Sequence, residues 1–461
     1  MQRFLALLAL SWPGLAFAAP LPEEAAHLVP EAWSSPTVDA GPAWWATLGG
    51  SELSSLLDSA LADNVDAQSA NLRVDRADAL NRQAGSALQP SLAINGSGTL
   101  LPNVNALVFD PDPNAAQSDT YNRGEVSADL TVPLTVWKGI PTAQAARSDA
   151  DSARAGADDT RATVAVQTGR LWLDLVYARE RLQVVEQQIA VDTELATLVE
   201  ARYRAGAASG TEVLQQRQQL ASSRSNLPDA QATIVRAERA LNVHLRRPTG
   251  TPVAVDRATL PDAPARLAMP SPSVLVEIDP TVRTALADLQ AAKRRTTAAR
   301  TEFLPDLNAS ASAGYTYNDL QSEPIAESWS VGVQLSVPLY SGGRTRGALA
   351  EARATEDTES FEVQNAVLDL VREVEDALTT YAQRVAEVDA DAWALEAAQA
   401  ALTAARADYE AGQTSYNTVL NSLNSQKQAE LTLLVTRRTQ LDAYLDVAAA
   451  AAGAWVDGLE A

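Results

Sequence analysis

Residue types that carry much of enzyme chemistry are scarce in this sequence. It has no cysteine and only two histidines, His27 and His244, which excludes disulfides, thiolate metal sites and clusters of imidazole ligands. No Gly-Lys dipeptide occurs, so a phosphate-binding loop is excluded, and Gly96-Ser97-Gly98 lacks the third glycine of a dinucleotide fingerprint. The acidic residues are typical of solvated helix faces. We therefore predict that the protein is not an enzyme and holds no cofactor or metal.

Basic charge, aromatic residues and long apolar runs are also in short supply. The net charge is −22, with only three lysines, Lys138, Lys293 and Lys427, which argues against nucleic acid or an anionic membrane surface as a partner. Aromatic residues make up 5% of the 461 residues and charged residues 20%, so a single thick globular core is not expected and the shape should be elongated. No stretch after the N-terminus reaches the ~18 apolar residues of a membrane-spanning helix.

The first 18 residues have the pattern of a secretory signal peptide. Arg3 supplies the basic start, residues 4–15 the apolar stretch, and Ala16-Phe17-Ala18 the small-x-small cleavage site. A short buried helix is the alternative, although Pro13 and Gly14 interrupt the stretch. We expect export to the periplasm, the outer membrane or the medium. Because there is no cysteine to accept a lipid, we expect no lipid anchor.

Three pairs of short motifs recur in the same order in the two halves of the chain. They are residues 88–92 with 303–307, residues 131–134 with 336–339, and residues 203–206 with 409–412. Their offsets are 305 − 90 = 215, 338 − 133 = 205 and 409 − 203 = 206, so the first half has the longer loop between its first two motifs. A fixed order of anchors indicates an internal duplication.

Prolines mark the boundary between the two halves, because each one removes a backbone donor and fixes φ. They are Pro248, Pro252, Pro261, Pro264, Pro270, Pro272 and Pro280. The predicted organisation is a signal peptide at 1–18, a first repeat at 19–248, a linker at 249–277, a second repeat at 278–452 and a tail at 453–461.

Each repeat contains two segments in which apolar and polar residues alternate with the period of a β-strand. The predicted strands cover about 90–100 and 122–137 in the first repeat, and about 305–317 and 328–340 in the second. Transmembrane strands need ~9–11 residues with apolar side chains toward lipid and polar ones toward a wet lumen. A half-buried sheet in a soluble domain has the same alternation, so the pattern alone leaves both open.

Four strands cannot close a barrel, and an open sheet edge is not tolerated in lipid. Closure therefore has to come from other copies of the chain. Three copies would supply 3 × 4 = 12 strands, whereas two would give eight strands with little lumen.

The remaining segments predict helices, two of them too long for an ordinary domain. The helices are expected at about 52–88, 141–203 and 211–247 in the first repeat, and at about 279–303, 343–409 and 417–450 in the second. A helix of ~65 residues rises ~100 Å. Heptad spacing of apolar residues indicates coiled-coil packing, and Pro228 is expected to kink the returning helix.

The order of these elements resembles the TolC-like outer membrane factor family over essentially the whole mature chain. The similarity rests on the duplicated layout, the Leu-x-Pro-x-Leu strand openings, the Val-Pro-Leu strand ends followed by Gly342-Gly343-Arg344, and the Tyr-x-x-Gly turns. Trp44-Trp45 resembles the start of the multidrug-efflux branch. The resemblance implies an α+β fold in which antiparallel coiled coils form a periplasmic α-barrel and three chains share a 12-stranded transmembrane β-barrel, with the linker in an equatorial region.

The same resemblance implies a function and a set of partners. It predicts a homotrimeric exit duct in outer-membrane lipid, serving a tripartite efflux pump or a type I secretion system, with a periplasmic adaptor protein and an inner-membrane pump of the RND or ABC type. No nucleic acid takes part. The alternative is a non-channel coiled-coil protein of the envelope, which the heptads would explain but the paired hairpins would not; an enzyme is a distant third.

Functional residues are expected in two places. The two turns between long helices should form the periplasmic tip, where the adaptor docks and the duct closes, and the polar strand faces should line the lumen. The tip turns are Ala205, Gly206, Ala207, Ala411, Gly412 and Gln413; the gate residues, by resemblance, are Glu212, Thr418, Asn421, Tyr203 and Tyr409; the lumen residues are Asp129 and Gln334. The alternative for Glu212 is a purely structural role, in which its negative charge stabilises the start of its helix through the helix dipole.

Overall fold

The computed structural model of the chain describes residues 20–34, 44–102, 120–264, 267, 269–318 and 325–455. The predicted signal peptide and most of the predicted tail lie outside these residues. Helices account for most of the described chain, and in each half helices precede a pair of strands, which a long helix and a returning helical segment follow. The elements of the first half are α1 (Glu23–Ala26), α2 (Trp44–Leu48), α3 (Gly50–Asp63), α4 (Val65–Ser86), β1 (Ser91–Pro102), β2 (Thr120–Pro133), α5 (Val136–Arg204), α6 (Gly210–Ser225) and α7 (Leu227–His244). Those of the second half are α8 (Pro272–Ile278), α9 (Pro280–Thr301), β3 (Asp306–Asn318), β4 (Ile325–Ser336), α10 (Arg344–Glu410), α11 (Tyr416–Ala450) and a final 3₁₀ turn (Ala452–Ala454).

The four strands form one antiparallel sheet in the order β1-β2-β3-β4. Residues paired across strands share a face, so the pairing of Asp129 with Ser312 and of Asn308 with Gln334 places all four on the polar face. The opposite face carries apolar side chains that are largely exposed, such as Trp329 at 81% and Val331 at 76%. The predicted duplicated strand hairpins with polar and apolar faces are therefore confirmed.

Two strands end earlier than the sequence pattern predicts. β2 stops at Pro133 and α5 has begun by Val136, so Pro141 lies inside that helix instead of at its start. β4 stops at Ser336, which pairs with Asp306, the first residue of β3. Residues beyond Ser336 therefore have no partner on β3. Pro133 and Pro338 also lack the amide hydrogen that a continuing ladder requires.

Two predicted helices are interrupted, and the predicted linker contains the start of a helix. The returning helix of the first repeat is interrupted at Asn226, two residues before Pro228, in agreement with the predicted kink. The helix expected at about 52–88 is divided at Asn64, whose side-chain oxygen accepts from the backbone N–H of Asp66 at 2.8 Å and so starts α4. The linker predicted at 249–277 ends in the helix α8, whose first residue, Pro272, already has helical φ and needs no amide donor.

The chain divides into two compact units. One, the helical unit, comprises residues 1–73, 154–284 and 363–461, and the other, the sheet unit, comprises residues 74–153 and 285–362. In the helical unit several apolar residues on the heptad-spaced stripes of the long helices are buried, with Leu175, Val367 and Leu378 each 0% exposed. The sheet unit combines the four strands with parts of four helices. There Arg295 forms an ion pair with Asp149 at 2.6 Å.

Within the described residues, no helix has both the length and the apolar character needed to cross a membrane. The apolar residues of the long helices instead follow narrow stripes. This distribution is the one expected for helices that pack on one another in coiled coils.

Candidate functional site: the paired helical turns

Two helix reversals have the same backbone design. The first hairpin, α5 and α6, turns at Gly206, and the second hairpin, α10 and α11, turns at Gly412; both glycines have φ of 76°. In each turn the glycine N–H donates to the carbonyl three residues earlier at 3.0 Å, and the following N–H donates to the carbonyl five residues earlier at 2.8 Å. This is the Schellman arrangement, which satisfies the last carbonyls of a helix. The turns lie where the sequence predicts them.

All six predicted tip residues are solvent-exposed in the described chain. They are Ala205, Gly206, Ala207, Ala411, Gly412 and Gln413. Five of the six are alanine or glycine, whose small side chains leave the backbone of each turn accessible for contact with another protein. Thr418 and Asn421, predicted beside the pore, are exposed as well.

The helices that follow the two turns begin differently. In the first hairpin, Ser209 accepts from the N–H of Glu212 through its side chain, and Glu212 Oε1 accepts from the N–H of Ser209, both at 3.3 Å. This reciprocal capping box satisfies two free donors at the helix start. In the second hairpin, Ser415 makes no side-chain cap bond to the backbone, and its hydroxyl lies 3.2 Å from that of Thr418.

Glu212 has a second role in addition to capping. Its Oε2 accepts a hydrogen bond of 2.7 Å from the hydroxyl of Tyr409, so this carboxylate connects the first hairpin to the second. Tyr409 is only 3% exposed. Burial is the largest cause that raises the pKa of Tyr409, to about 12, and the nearby Glu212 carboxylate adds to the rise. The phenol therefore keeps its proton and remains a donor at physiological pH.

Tyr203 does not share the environment of Tyr409, although the two occupy equivalent places before their turns. Its side chain is 52% exposed, and it lies beside Gly210, where a Cβ would be 3.8 Å from the Tyr203 ring. The predicted pair of gate tyrosines is thus split, with one buried across the hairpins and one at the surface.

Arg202 is a functional candidate that the sequence analysis missed. Its guanidinium carbon lies 4.4 Å from the centre of the Tyr409 ring, and its Nη1 donates to the carbonyl oxygens of Tyr409 and Glu410, the latter at 3.0 Å. A cation at the end of a helix also suits the helix dipole. The one signal in the sequence is that the equivalent residue of the second repeat is Asp408, at 202 + 206 = 408.

Behind the turns lies an apolar cluster in which a few polar groups are embedded. Its buried members are Leu195, Val199, Val213, Leu402, Ala405, Tyr409, Tyr416, Val419 and Leu423. Tyr416 donates to Gln216 Oε1 at 2.6 Å, and its ring centre lies 6.1 Å from that of Tyr409. Burial raises the pKa of Tyr416 above its ordinary value. The two hairpins are therefore joined by aromatic packing as well as by polar contacts.

The polar face of the sheet is the second region to which the sequence points. Asp129 accepts hydrogen bonds of 2.7 Å from both Asn95 Nδ2 and Ser127 Oγ. Gln334 is exposed on the same face. Among the described strand residues, Glu125, Asp129 and Asp306 contribute carboxylates to this face, and Arg123 contributes one positive charge.

Within the part of the chain that the structure describes, no group of three or more acidic or imidazole side chains is placed to hold a metal ion. Neither the turns nor the polar sheet face offers the converging ligands that such an ion needs. The turns combine exposed backbone with packing contacts between the hairpins, and the polar sheet face is a surface of hydrogen-bonded side chains.

Comparison with known proteins gives consistent matches along the chain. A profile of the outer membrane efflux protein family matches residues 56–245 and 272–453. The pyoverdine export outer membrane protein OpmQ of Pseudomonas putida is 25% identical over 474 residues, covering 99% of this chain and 98% of the relative. The cation efflux system protein CusC of Escherichia coli K12 is 26% identical, with coverages of 87% and 84%. The solved outer-membrane channel OprN has a TM-score of 0.80 at 20% identity, covering 96% of this chain and 98% of OprN.

Proposed function

The chain belongs to the outer membrane efflux protein family, and we propose that three copies of it form the exit duct of a tripartite efflux or secretion system. The protein is an outer-membrane efflux channel with a large periplasmic part. In the proposed assembly it is a passive conduit. An inner-membrane pump supplies the energy, and this chain contributes no enzymatic step.

The observation that carries the trimer is the sheet with two unpaired edges. Among the described strands, β1 and β4 are each paired on one side only, while one face of the sheet exposes apolar residues along its length. Such a sheet is unstable in water, because of its apolar face, and in lipid, because of its open edges. Joining β4 of one copy to β1 of the next resolves both problems, and 3 × 4 = 12 strands make a closed barrel with an aqueous interior.

The assembly is tested by native mass spectrometry in detergent combined with planar-bilayer recording. We expect a single species at three times the mass of the mature chain and discrete ion-conducting steps in the bilayer. A stable monomer or dimer that conducts no ions would rule out the duct and favour the envelope coiled-coil alternative.

We place the closure of the duct and the docking of the periplasmic adaptor at the two turns. Support comes from the exposure of the turn backbones and from the contact between Tyr409 and Glu212, which ties the two hairpins together beside the turns. Opening by displacement of one hairpin from the other would have to break this bond. Thr418 and Asn421 supply no charge, so Glu212 is the only acid among the predicted gate residues.

The polar sheet face is proposed as the lumen, with Asp129 and Gln334 exposed to the cargo path. Among the strand residues that the structure describes, three carboxylates against one guanidinium give this face a negative potential, which a narrow pore focuses. We expect the reversal potential in a KCl gradient to show cation preference, and Asp129→Asn to weaken it. Anion preference of the wild-type channel would contradict the assignment of this face.

A further inference from the structure

A buried ion pair joins the two hairpins behind the turns, and the gate described above does not use it. Lys427 on α11 donates to Asp192 Oδ2 on α5 at 2.6 Å and to Ser223 Oγ on α6 at 3.0 Å. Asp192 is 0% exposed and Lys427 7%. The lysine thus extends from the second hairpin into the space between the two helices of the first.

This pair is an unusual choice for the interior of a coiled coil. Taking both charges out of water is costly, and apolar residues of similar size are often at least as stabilising. Asp192 Oδ1 is buried and has no hydrogen-bond partner, so the carboxylate is incompletely satisfied. At the repeat offset, the positions equivalent to Asp192 and Lys427 are Ala398 (192 + 206) and Ala221 (427 − 206). Packing alone therefore does not require an ion pair at such positions.

Short contacts connect the pair to the gate. Gln216 Nε2 donates to the backbone carbonyl of Asp192 at 2.9 Å, and Gln216 Oε1 accepts from Tyr416 at 2.6 Å. The Tyr416 ring packs against that of Tyr409. A displacement of the second hairpin that breaks the bond between Tyr409 and Glu212 would thus also strain the contacts around Asp192.

We propose that the Asp192–Lys427 pair is a second, buried latch between the hairpins, which must break for the tip to open. This inference rests on the proposed closure of the duct at the turns. In the closed state the dry surroundings make the attraction strong and steeply dependent on distance. In the open state water solvates both ions. In a partly opened tip the two ions are separated but not yet hydrated, so neither their attraction nor water stabilises them. The pair therefore favours the fully closed and the fully open state over intermediates.

The first test compares Asp192→Asn, Lys427→Met and the control Glu200→Gln in full-length trimers in planar bilayers. Glu200 pairs with Arg217 at 2.9 Å within the first hairpin, in a more exposed position, and so does not link the hairpins. Each latch variant leaves an uncompensated buried group in the closed state. We expect the open fraction to rise about tenfold or more in both latch variants and less than about twofold in Glu200→Gln.

The second test replaces the ion pair by a covalent link. Because the chain has no cysteine, Asp192→Cys with Lys427→Cys introduces two thiols per chain for a short, reducible thiol-to-thiol cross-linker. We expect the cross-link to hold the duct in its low-conductance state, even when Tyr409→Phe and Glu212→Ala are also present, and reduction to release it. The cysteine-free chain treated with the same reagent is the control.

The outcomes separate the latch from the duct itself. Assembled Asp192→Asn and Lys427→Met trimers with the wild-type open fraction would overturn the latch, as would a cross-linked duct that still opens. Lower melting temperature without a change in conductance indicates a purely structural pair and overturns it too. If a variant does not assemble, the cross-linking result decides. A wild type and variants that all fail to conduct would instead overturn the proposed duct.

Discussion

The two helical turns have the same backbone and different side-chain chemistry. Both place a glycine at φ of 76° and close with the same two backbone hydrogen bonds. In the first hairpin Arg202 and Glu212 flank the turn, whereas the second has Asp408 and Thr418 in the equivalent positions. The buried side chain of Tyr409 contacts both Arg202, through its ring, and Glu212, through its hydroxyl. Duplication has thus kept the geometry of the reversal, while divergence has produced complementary surfaces that bind each other.

This difference shows how a duplicated chain acquires a contact between its halves. Two identical turns would present the same charge to each other. With a cation and an acid on one side and a buried phenol on the other, each group has a partner of suitable chemistry. The shared backbone determines the stability of each turn, and the differing side chains determine the contact between the two hairpins. Mutations can therefore test the two separately.

The largest effect is expected on removing the bond between the turns. Tyr409→Phe with Glu212→Ala keeps the glycine and the backbone hydrogen bonds of both turns, but removes the donor and the acceptor that join them, together with the Glu212 half of the capping box. We expect a severalfold rise in single-channel conductance and entry of large antibiotics, measured in planar bilayers and by susceptibility of cells. The matched control is Tyr203→Phe, since Tyr203 is 52% exposed. Unchanged conductance in an assembled double variant would show that the gate lies elsewhere.

The next largest effect concerns the cation that lies between the turns. Arg202→Met removes the contact with the Tyr409 ring and the bonds to two carbonyls at the end of α10. We expect a loss of about 2 kcal/mol of local stability, seen as faster amide hydrogen exchange in residues 405–413. The equivalent substitution in the other repeat, Asp408→Asn, should change the free energy of local opening, measured by the same exchange, by less than about 0.5 kcal/mol. Equal effects would mean that the hairpins are not joined by this guanidinium.

The shared backbone predicts equal effects in the two turns. Gly206→Ala and Gly412→Ala each force a Cβ into the left-handed region, at a cost of about 1–2 kcal/mol. Neither substitution clashes, since Gly206 has nothing within 4 Å of such a Cβ and Gly412 has only Arg202 Nη2 at 4.0 Å. Hydrogen exchange of the two turns should accelerate to a similar degree. A difference above about 1 kcal/mol would show that the turns differ in backbone strain as well as in side chains.

The smallest expected effect distinguishes the helix starts. Ser209→Ala removes one half of the capping box with Glu212 and should destabilise the start of α6 by about 1 kcal/mol. Ser415→Ala removes a hydroxyl that makes no cap bond to the backbone of α11 and should cost less than about 0.5 kcal/mol. Exchange rates of the first-turn amides of each helix measure both. If Ser415→Ala costs as much as Ser209→Ala, the conclusion that only Ser209 caps its helix is wrong.

Much of the fold follows from local patterns in the sequence. Period-two alternation locates the four strands, and heptad spacing locates the long helices, because both patterns arise from the geometry of a single element. Glycine at the two turns follows from the left-handed backbone that a Schellman cap needs. Strand ends were placed less well. β2 and β4 stop at Pro133 and Ser336, and the end of β4 is set by where its neighbour β3 begins.

The contacts between the hairpins were decided by the tertiary structure alone. Before the turns, Tyr203 and Tyr409 occupy equivalent places in the sequence, and only packing shows that one is exposed and the other buried. The sequence separates Arg202 from Tyr409 by 207 residues and Asp192 from Lys427 by 235, so no local pattern could pair them. The sequence by itself determined the elements, the duplication and the turns, because these depend on neighbours along the chain. Which side chains join the two repeats depends on how separate helices pack, and packing brings together residues that no periodicity relates.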